Sequence, residues 1–207
     1  KGTSGGIVDL RHDGSTVGSI GVAQSGDRTY FAGGSYGIAS DTSDATIMPC
    51  GTTGTGNDGV VSLGKSDARF KDLYLSGGAY LGGTGAANKL EDYETGTWTP
   101  TCTVGLNLNS AKYVKIGSQV TLTAFISVNS SSNATHAFLG GLPFLSTAGE
   151  YALGPLNHNS SAAGTPLLRV EQNTTLAFVI NFSNTAVSFS ALSNSIAIFS
   201  LTYTTAA

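Results

Sequence analysis

The sequence predicts an all-β protein in two parts, a glycine-rich β stem over residues 1–95 and a β-sandwich head over residues 96–207. Composition changes across residues 93–100, because the first 95 residues hold 20 of the 28 Gly and 11 of the 13 Asp and Glu. Short apolar pieces between turn residues fill the first part, whereas long runs of period two fill the second. Gly adds no side chain to a core, so the two parts need different sources of stability.

The stem contains four brief apolar pieces, at residues 7–10, 17–20, 29–31 and 60–63, bounded by turn pairs such as Asp13-Gly14. An Asp-Gly pair between β-prone pieces is a strong hairpin signal. Hairpins this short are marginally stable in one chain because they bury little. We therefore expect three intertwined chains around a common axis, in which oligomerisation supplies the missing core. Residues 86–92 are the one segment compatible with a short helix.

The head is predicted as a jelly-roll-like sandwich of about eight strands. Residues 112–116 and 120–128 form a hairpin around Gly117-Ser118, since alternate residues of the second strand are apolar. The last strand carries Ile196 and Ile198 on one face and larger apolar residues on the other, which predicts burial on both sides, with the outer face against another subunit. The remaining strands are expected at residues 98–104, 136–141, 166–171, 175–182 and 185–191, and the last at 195–204.

Charge is scarce and argues against polyanionic partners. Charged residues make up 11% of the chain, against about 25% in typical globular proteins. The net charge is −3, and the head has only three basic residues, so neither nucleic acid nor an anionic membrane is an expected partner. No apolar run approaches the roughly 18–20 residues that a membrane span needs. Cys50 and Cys102 lack metal or redox spacing and are expected to be unpaired thiols.

The sequence predicts no cofactor, no metal and no enzymatic activity. Residues 54–59 fit the dinucleotide glycine pattern, but a strand-like piece follows where a helix is required. The three His are scattered, although one His per chain leaves an axial metal in a trimer open. Glu150 and Glu171 are the only carboxylates of the head, and Glu171 alternates with Arg169, which favours a surface ion pair.

Two polar stretches of the head, residues 129–136 and 151–165, are the predicted recognition loops. They combine amides, hydroxyls, His and Tyr with few charges, which is the side-chain inventory of a shallow glycan site. Solvated hairpin tips are the alternative interpretation, although loops at one end of a sandwich are a common recognition surface. The candidate residues are Asn129, Asn133, His136, Tyr151, Asn157, His158 and Asn159.

Several motifs in the middle of the chain resemble a known family. They are Arg69-Phe70-Lys71-Asp72-Leu73-Tyr74-Leu75-Ser76-Gly77, then residues 80–90, then Gly96-Thr97-Trp98-Thr99-Pro100 and Gly140-Gly141-Leu142-Pro143-Phe144. In this order they resemble the C-terminal region of tail fibres and receptor-binding proteins of tailed bacteriophages, especially marine ones. The resemblance covers about residues 63–145.

The resemblance implies a homotrimeric fibre of the virion, located outside the cell, whose β-rich tip attaches to a host cell-surface receptor. A surface polysaccharide is the expected receptor, bound without catalysis. The chain opens on Lys-Gly-Thr without an initiator Met or signal peptide, so we expect an upstream part that joins other tail or baseplate proteins. Two alternatives remain open: a purely structural virion protein, and a glycan depolymerase with a site between subunits.

Overall fold

The computed structural model describes residues 4–160 and 163–206, and these residues form antiparallel β-sheets in two compact units, Lys1–Tyr74 and Leu75–Ala207. The first unit contains β1 Gly5–His12, β2 Ser15–Ala23, β3 Arg28–Gly33, β4 Tyr36–Asp41 and β5 Thr46–Gly51. The second contains β6 Ala79–Tyr80, β7 Lys89–Leu90, β8 Glu94–Thr97, β9 Leu106–Ile116, β10 Gln119–Val128, β11 Phe138–Leu139, β12 Ala152–His158, β13 Leu167–Val170, β14 Ala177–Ile180 and β15 Ile196–Thr204.

The N-terminal unit is a five-stranded antiparallel meander in which sequence neighbours pair from β1 to β5. One face carries a small core, whose buried members are Ala23, Tyr30, Ala32, Ala39 and Cys50. The loop after β5 lies against this face, where Gly54 has a φ of +78° and a Cβ would come within 2.6 Å of the Tyr30 ring. Only Gly fits here, because both the backbone and the ring exclude a larger residue.

The opposite face of this sheet is apolar and exposed. Its central row runs across all five strands in register, from Val8 through Ile20, Phe31 and Ile38 to Pro49. Phe31 is 52% exposed and Ile38 is 50% exposed. We call this row the open face. An apolar row of this length without a covering layer is unusual for a monomeric domain.

A buried ion pair joins β3 to β4 on the core face of the N-terminal unit. The Arg28 guanidinium donates to one Asp41 carboxylate oxygen, through Nε at 3.0 Å and also through Nη2, and Nη1 donates to the Gly54 carbonyl at 3.0 Å. The backbone N–H and hydroxyl of Ser43 donate to the other Asp41 oxygen, at 3.0 and 2.6 Å. Hydrogen bonds from Ser43, and then from Arg28, lower the pKa of Asp41 to about 2.

The Asp41 carboxylate should therefore make the N-terminal unit acid-sensitive. Because its pKa is lower in the fold than in the unfolded chain, the stabilisation is complete above pH about 4 and is lost as the pH falls toward 2. The measurement is the chemical shift of the Asp41 carboxyl carbon against pH, with an expected midpoint near 2. Ser43→Ala should raise that midpoint while leaving the Arg28 pair in place. A wild-type midpoint near 4 would contradict this prediction.

Three of the four predicted stem pieces are confirmed, since residues 7–10, 17–20 and 29–31 lie within β1, β2 and β3. The strand predicted at residues 60–63 is wrong. Val60 and Leu63 are exposed and no strand pairs with this segment in the described part of the chain. The strands β4 and β5 were not predicted, because Gly37 and Pro49 interrupt their alternation. Pro49 is tolerated in β5 because β5 is an edge strand.

The C-terminal unit is built on an eight-stranded antiparallel sheet in the order β11-β14-β13-β12-β15-β10-β9-β8. The sheet has two halves, β11-β14-β13 and β15-β10-β9-β8, which β12 joins. Residues 152–155 of β12 pair with β13, and residues 156–158 pair with β15. Apolar residues of both halves form one buried cluster, for example Leu122 and Leu201 from one half and Leu168 and Val179 from the other. This arrangement is consistent with the predicted β-sandwich.

The strand β12 corrects the prediction of a continuous polar loop at residues 151–165. Residues 152–158 are a strand, and residues 161 and 162 of that stretch lie outside the described residues. This strand was not predicted because it contains Gly154 and Pro155, which normally indicate a turn. A Cβ on Gly154 would lie 3.1 Å from the Ser200 carbonyl of β15, and Pro155 is the last residue paired with β13 before the strand changes partner. The missing N–H of Pro therefore falls where the pairing switches.

The other head strands agree with the prediction to different degrees. The hairpin at Gly117-Ser118 is confirmed, as are strands within 166–171, 175–182 and 195–204, whereas the strand at 136–141 shrinks to β11. The predictions of strands at 98–104 and 185–191 are wrong. The first segment makes only an isolated bridge, between Thr101 and Gly140. The second makes isolated bridges at Ala186 and Ser188 and then enters the 3₁₀ turn Ser190–Leu192. The helix at 86–92 reduces to the 3₁₀ turn Ala86–Asn88.

Two further expectations concern the domain junction and the thiols. The compact units divide after Tyr74, upstream of the compositional change, because β6 pairs with β7 and β8 pairs with β9 inside the second unit. Both cysteines are unpaired, as expected, and burial raises the pKa of the Cys50 and Cys102 thiols. None of the helical turns among the described residues has the length and apolar character of a membrane span.

Candidate functional site

Six of the seven predicted site residues lie on two chain segments, residues 129–136 and 157–159. Both segments form hydrogen bonds with residues 190–196. The Asn133 carbonyl accepts from the Ser190 N–H at 2.8 Å, and the Asn159 side-chain oxygen accepts from the Ile196 N–H at 2.8 Å. The end of β10, the end of β12 and the start of β15 therefore meet at one end of the C-terminal unit. Contacts with residues 190–196 therefore bring the segments of Asn133 and Asn159 to this end, whereas the His136 ring lies against Phe178 and Val179 of β14.

Both histidines of this group are held by the fold. The His136 Nε2 is 2.8 Å from the Val179 carbonyl, and its ring packs 4.8 Å from the Phe178 ring. The His158 Nε2 is 2.8 Å from the Gly164 carbonyl, and its Nδ1 accepts from the Ser160 N–H at 3.0 Å. These contacts order the loops, so the histidine rings act first as structural elements of the loop end.

The asparagines of this end divide between loop-forming and exposed groups. The Asn133 side-chain oxygen accepts from the Thr135 N–H at 2.9 Å, which closes an Asx turn. The Asn129 oxygen accepts from the Asn107 amide at 3.1 Å. Asn157 is exposed in the middle of the β12–β15 pairing, opposite Ile198. The side-chain oxygens of Asn129, Asn133 and Asn159 therefore accept hydrogen bonds within the chain, which leaves their amide NH₂ groups as the donors for a ligand.

Tyr151 lies apart from the other six residues. It precedes the first residue of β12, whereas His158 is the last, so about 23 Å of extended strand separates them. Tyr151 is 56% exposed, and the Arg169 guanidinium carbon lies 5.7 Å from the centroid of its ring. Gln172 donates to the Tyr151 hydroxyl at 2.9 Å. Tyr151 therefore belongs to a different site.

That second site is a cleft of about 530 Å³ on the outer side of β12, β13 and the turn after β14. We call it the Tyr151 cleft. Its lining includes Tyr151, Leu153, Arg169, Phe182 and Asn184. A smaller hollow of about 260 Å³ adjoins it, because Tyr151 and Leu153 line both, and it also contains Glu150, Thr202 and Thr204.

Tyr151 is the one lining residue of the cleft among the predicted recognition residues. Its other members come from three separate segments, and their proximity depends on the pairing Leu153 to Arg169 and Leu167 to Ile180. One sequence signal was available: Phe182 interrupts the polar turn Asn181-Phe182-Ser183-Asn184, and it is 75% exposed. An exposed aromatic ring beside turn amides offers a face on which a ligand can pack.

The two carboxylates of the head are both engaged. Glu171 accepts from Arg169 Nε at 2.7 Å and forms the ion pair expected from the sequence, and Glu150 accepts from the Thr204 hydroxyl. Within the described residues, no group of three or more His, Cys, Asp or Glu side chains is arranged to hold a metal ion. The hydrogen-bonding and aromatic groups that line the Tyr151 cleft include Tyr151, Phe182 and Asn184.

Comparison of the chain with models of protein families, with curated proteins and with solved structures gives no match in any of the three.

Proposed function

We propose that this chain is part of a homotrimeric attachment fibre of a tailed bacteriophage, in which the C-terminal unit binds a receptor on the host cell surface. The resemblance of residues 63–145 to phage tail fibres motivates this proposal. The contrast between the two compact units supports it. A surface polysaccharide is the receptor class that the polar, charge-poor C-terminal unit favours.

The open face is the observation that carries the proposal. The C-terminal unit buries a continuous core between its sheet halves, whereas the N-terminal unit leaves Val8, Ile20, Phe31 and Ile38 exposed along one row. Covering these side chains with the same row of another copy would remove apolar surface from water, at about 25 cal/mol per Å². The N-terminal unit thus has the character of a shaft that assembles with copies of itself.

The composition of the C-terminal unit fits recognition of an uncharged ligand. Its four basic residues are Lys89, Lys112, Lys115 and Arg169. Three of them form ion pairs, Lys89 with Glu91, Lys115 with Asp92 and Arg169 with Glu171. Hydroxyl and amide side chains occupy much of the remaining surface, and they recognise sugar hydroxyls well. Three heads on one fibre would bind jointly, because linked weak sites gain avidity without new contacts.

The first test is the molar mass of the chain in solution, measured by light scattering on a sizing column. A mass near three times the 21.0 kDa chain mass is expected. A folded monomer would contradict the proposed trimer, because the N-terminal unit would then be stable with its open face exposed to water.

The second test measures adsorption of the fluorescently labelled chain to a panel of marine bacteria. We expect saturable binding to at least one strain, and loss of that binding after enzymatic removal of surface polysaccharide. Trimer formation without adsorption to any strain would favour the purely structural protein. Release of reducing sugar from the bound polysaccharide would instead favour a depolymerase.

A further inference from the structure

We infer that the Tyr151 cleft and the adjoining hollow form one binding site for a neutral oligosaccharide, with Tyr151 between two sugar subsites. This inference rests on the proposed receptor-binding function and assigns it to a place on the C-terminal unit. The predicted loop end around residues 190–196 is then a supporting structure or a separate surface.

The Tyr151 ring is fixed before any ligand arrives. The Arg169 guanidinium lies over the ring, and the Gln172 amide donates to its hydroxyl. Gln172 is held in turn, because its side-chain oxygen accepts from the Gly149 N–H at 2.7 Å. A ring restrained in this way loses little conformational freedom on binding, which favours affinity.

The Arg169 guanidinium is already neutralised and oriented. Its Nε and Nη2 donate to one Glu171 oxygen at 2.7 and 2.5 Å, and its Nη1 donates to the Asn184 side-chain oxygen at 2.5 Å. A phosphate or carboxylate ligand would have to compete with Glu171 for the same donors. The cleft therefore favours an uncharged ligand, and Arg169 acts in it as a positioning residue for Tyr151 and Asn184.

The side-chain amides of Asn181 and Asn184, in the turn after β14, can donate hydrogen bonds to a ligand through their NH₂ groups. The Asn181 oxygen accepts from the Ser183 and Thr185 N–H groups at 3.0 and 2.9 Å, and the Asn184 oxygen accepts from Arg169. With both oxygens engaged, the amide NH₂ groups are the parts that can donate to a ligand. The Tyr151 hydroxyl accepts from Gln172, so its own proton is also available for donation.

Exposed aromatic rings complete the match to a sugar. Tyr151 and Phe182 line the same cleft and are 56% and 75% exposed. The C–H face of a pyranose can pack on such rings, while its hydroxyls accept hydrogen bonds from the amide and phenol donors. Tyr151 and Leu153 also line the adjoining hollow, together with Glu150 and Thr204. The hollow can therefore hold a second sugar unit, whose hydroxyls would contact these polar side chains.

The experiment is binding of the full chain to an array of neutral and acidic oligosaccharides of two to six units, followed by calorimetry with the soluble form of the best neutral binder. Tyr151→Ala and Phe182→Ala should each weaken binding about tenfold. Tyr151→Phe should weaken it less, because the ring stays and only the hydroxyl is lost. Asn109→Ala, at an exposed position of β9 outside the cleft and the hollow, is the matched control and should change affinity less than twofold.

Circular dichroism confirms that each variant is folded. Unchanged affinity in Tyr151→Ala and Phe182→Ala, absence of wild-type binding to every neutral oligosaccharide, or preference for acidic ones would each overturn the inference. The outcomes also separate it from the receptor proposal. Cell adsorption that survives both cleft substitutions would leave receptor binding standing and place it elsewhere. Cleft-dependent oligosaccharide binding without adsorption to any cell would support the site and contradict the attachment function.

Discussion

Replacement of Trp98 by Ala should lower the free energy of unfolding of the C-terminal unit by about 3–5 kcal/mol. Trp98 is 5% exposed and its ring packs edge-on against Phe199, with 6.4 Å between ring centroids. Its backbone N–H donates to the Ala111 carbonyl of β9. The side chain therefore fills the space where the chain enters the sandwich, and Ala would leave a cavity there.

The effect should come from packing rather than from a lost hydrogen bond. The Trp98 Nε1 is buried and has no partner among the described residues. Trp98→Phe should therefore cost only about 1–2 kcal/mol, since it keeps an aromatic ring and removes an unsatisfied donor. Urea unfolding followed by circular dichroism measures both variants, because Trp98 is the only Trp and its substitution removes the fluorescence signal.

Tyr93→Ala is the matched control, because Tyr93 is a nearby aromatic residue that is 66% exposed. It should change the free energy of unfolding by less than about 0.5 kcal/mol. A cost below about 1 kcal/mol for Trp98→Ala would show that the core closes without this ring.

Strands with uninterrupted alternation were predictable from the sequence. In β10 the residues Val120, Leu122 and Ile126 are buried and their neighbours are more exposed, so period two alone located the strand. The strands β4, β5 and β12 were not, because Gly37, Pro49 and Gly154-Pro155 interrupt their alternation and such residues normally mark turns. Whether Gly154-Pro155 is a turn or a change of pairing partner depends on β13 and β15, which are distant in sequence.

The site was less predictable than the fold, for a physical reason. The residue types of a recognition surface can be read from the sequence, and they led to Tyr151. Its neighbours Arg169 and Phe182 become adjacent only through the pairing register of β12, β13 and β14. A one-residue slip would move every side chain of a strand to the other face, so the composition of a cleft between strands cannot be read without the register.

The outer face of β15 bears on the predicted contact with another subunit. Phe199, Leu201 and Tyr203 are buried in the core, as expected, whereas Ile196 and Ile198 are 40% and 48% exposed in the single chain. Ile198 pairs with Phe125 of β10, which is 38% exposed. The burial of this second face therefore remains a prediction about the assembly, and the oligomeric state decides it.

Phe31→Asp should convert the proposed trimer into a monomer, with the molar mass in light scattering falling from near three times 21.0 kDa to near 21.0 kDa. Phe31 is the central residue of the open face, between Ile20 and Ile38 in register. A carboxylate buried there against another copy would lose its hydration without a partner, which costs several kcal/mol per ion. Its neighbours in sequence, Tyr30 and Ala32, point to the opposite face, so the core of the sheet should remain intact.

Two matched variants make this result interpretable. Phe31→Leu keeps an apolar side chain in the row and should remain a trimer, and Ser35→Asp adds the same charge in the turn between β3 and β4 and should also remain one. If Phe31→Asp keeps the wild-type mass, the open face does not hold the chains together. If it becomes a folded monomer, cell binding should fall by about 10²-fold or more while single-site affinity for an oligosaccharide stays unchanged, because avidity alone is lost.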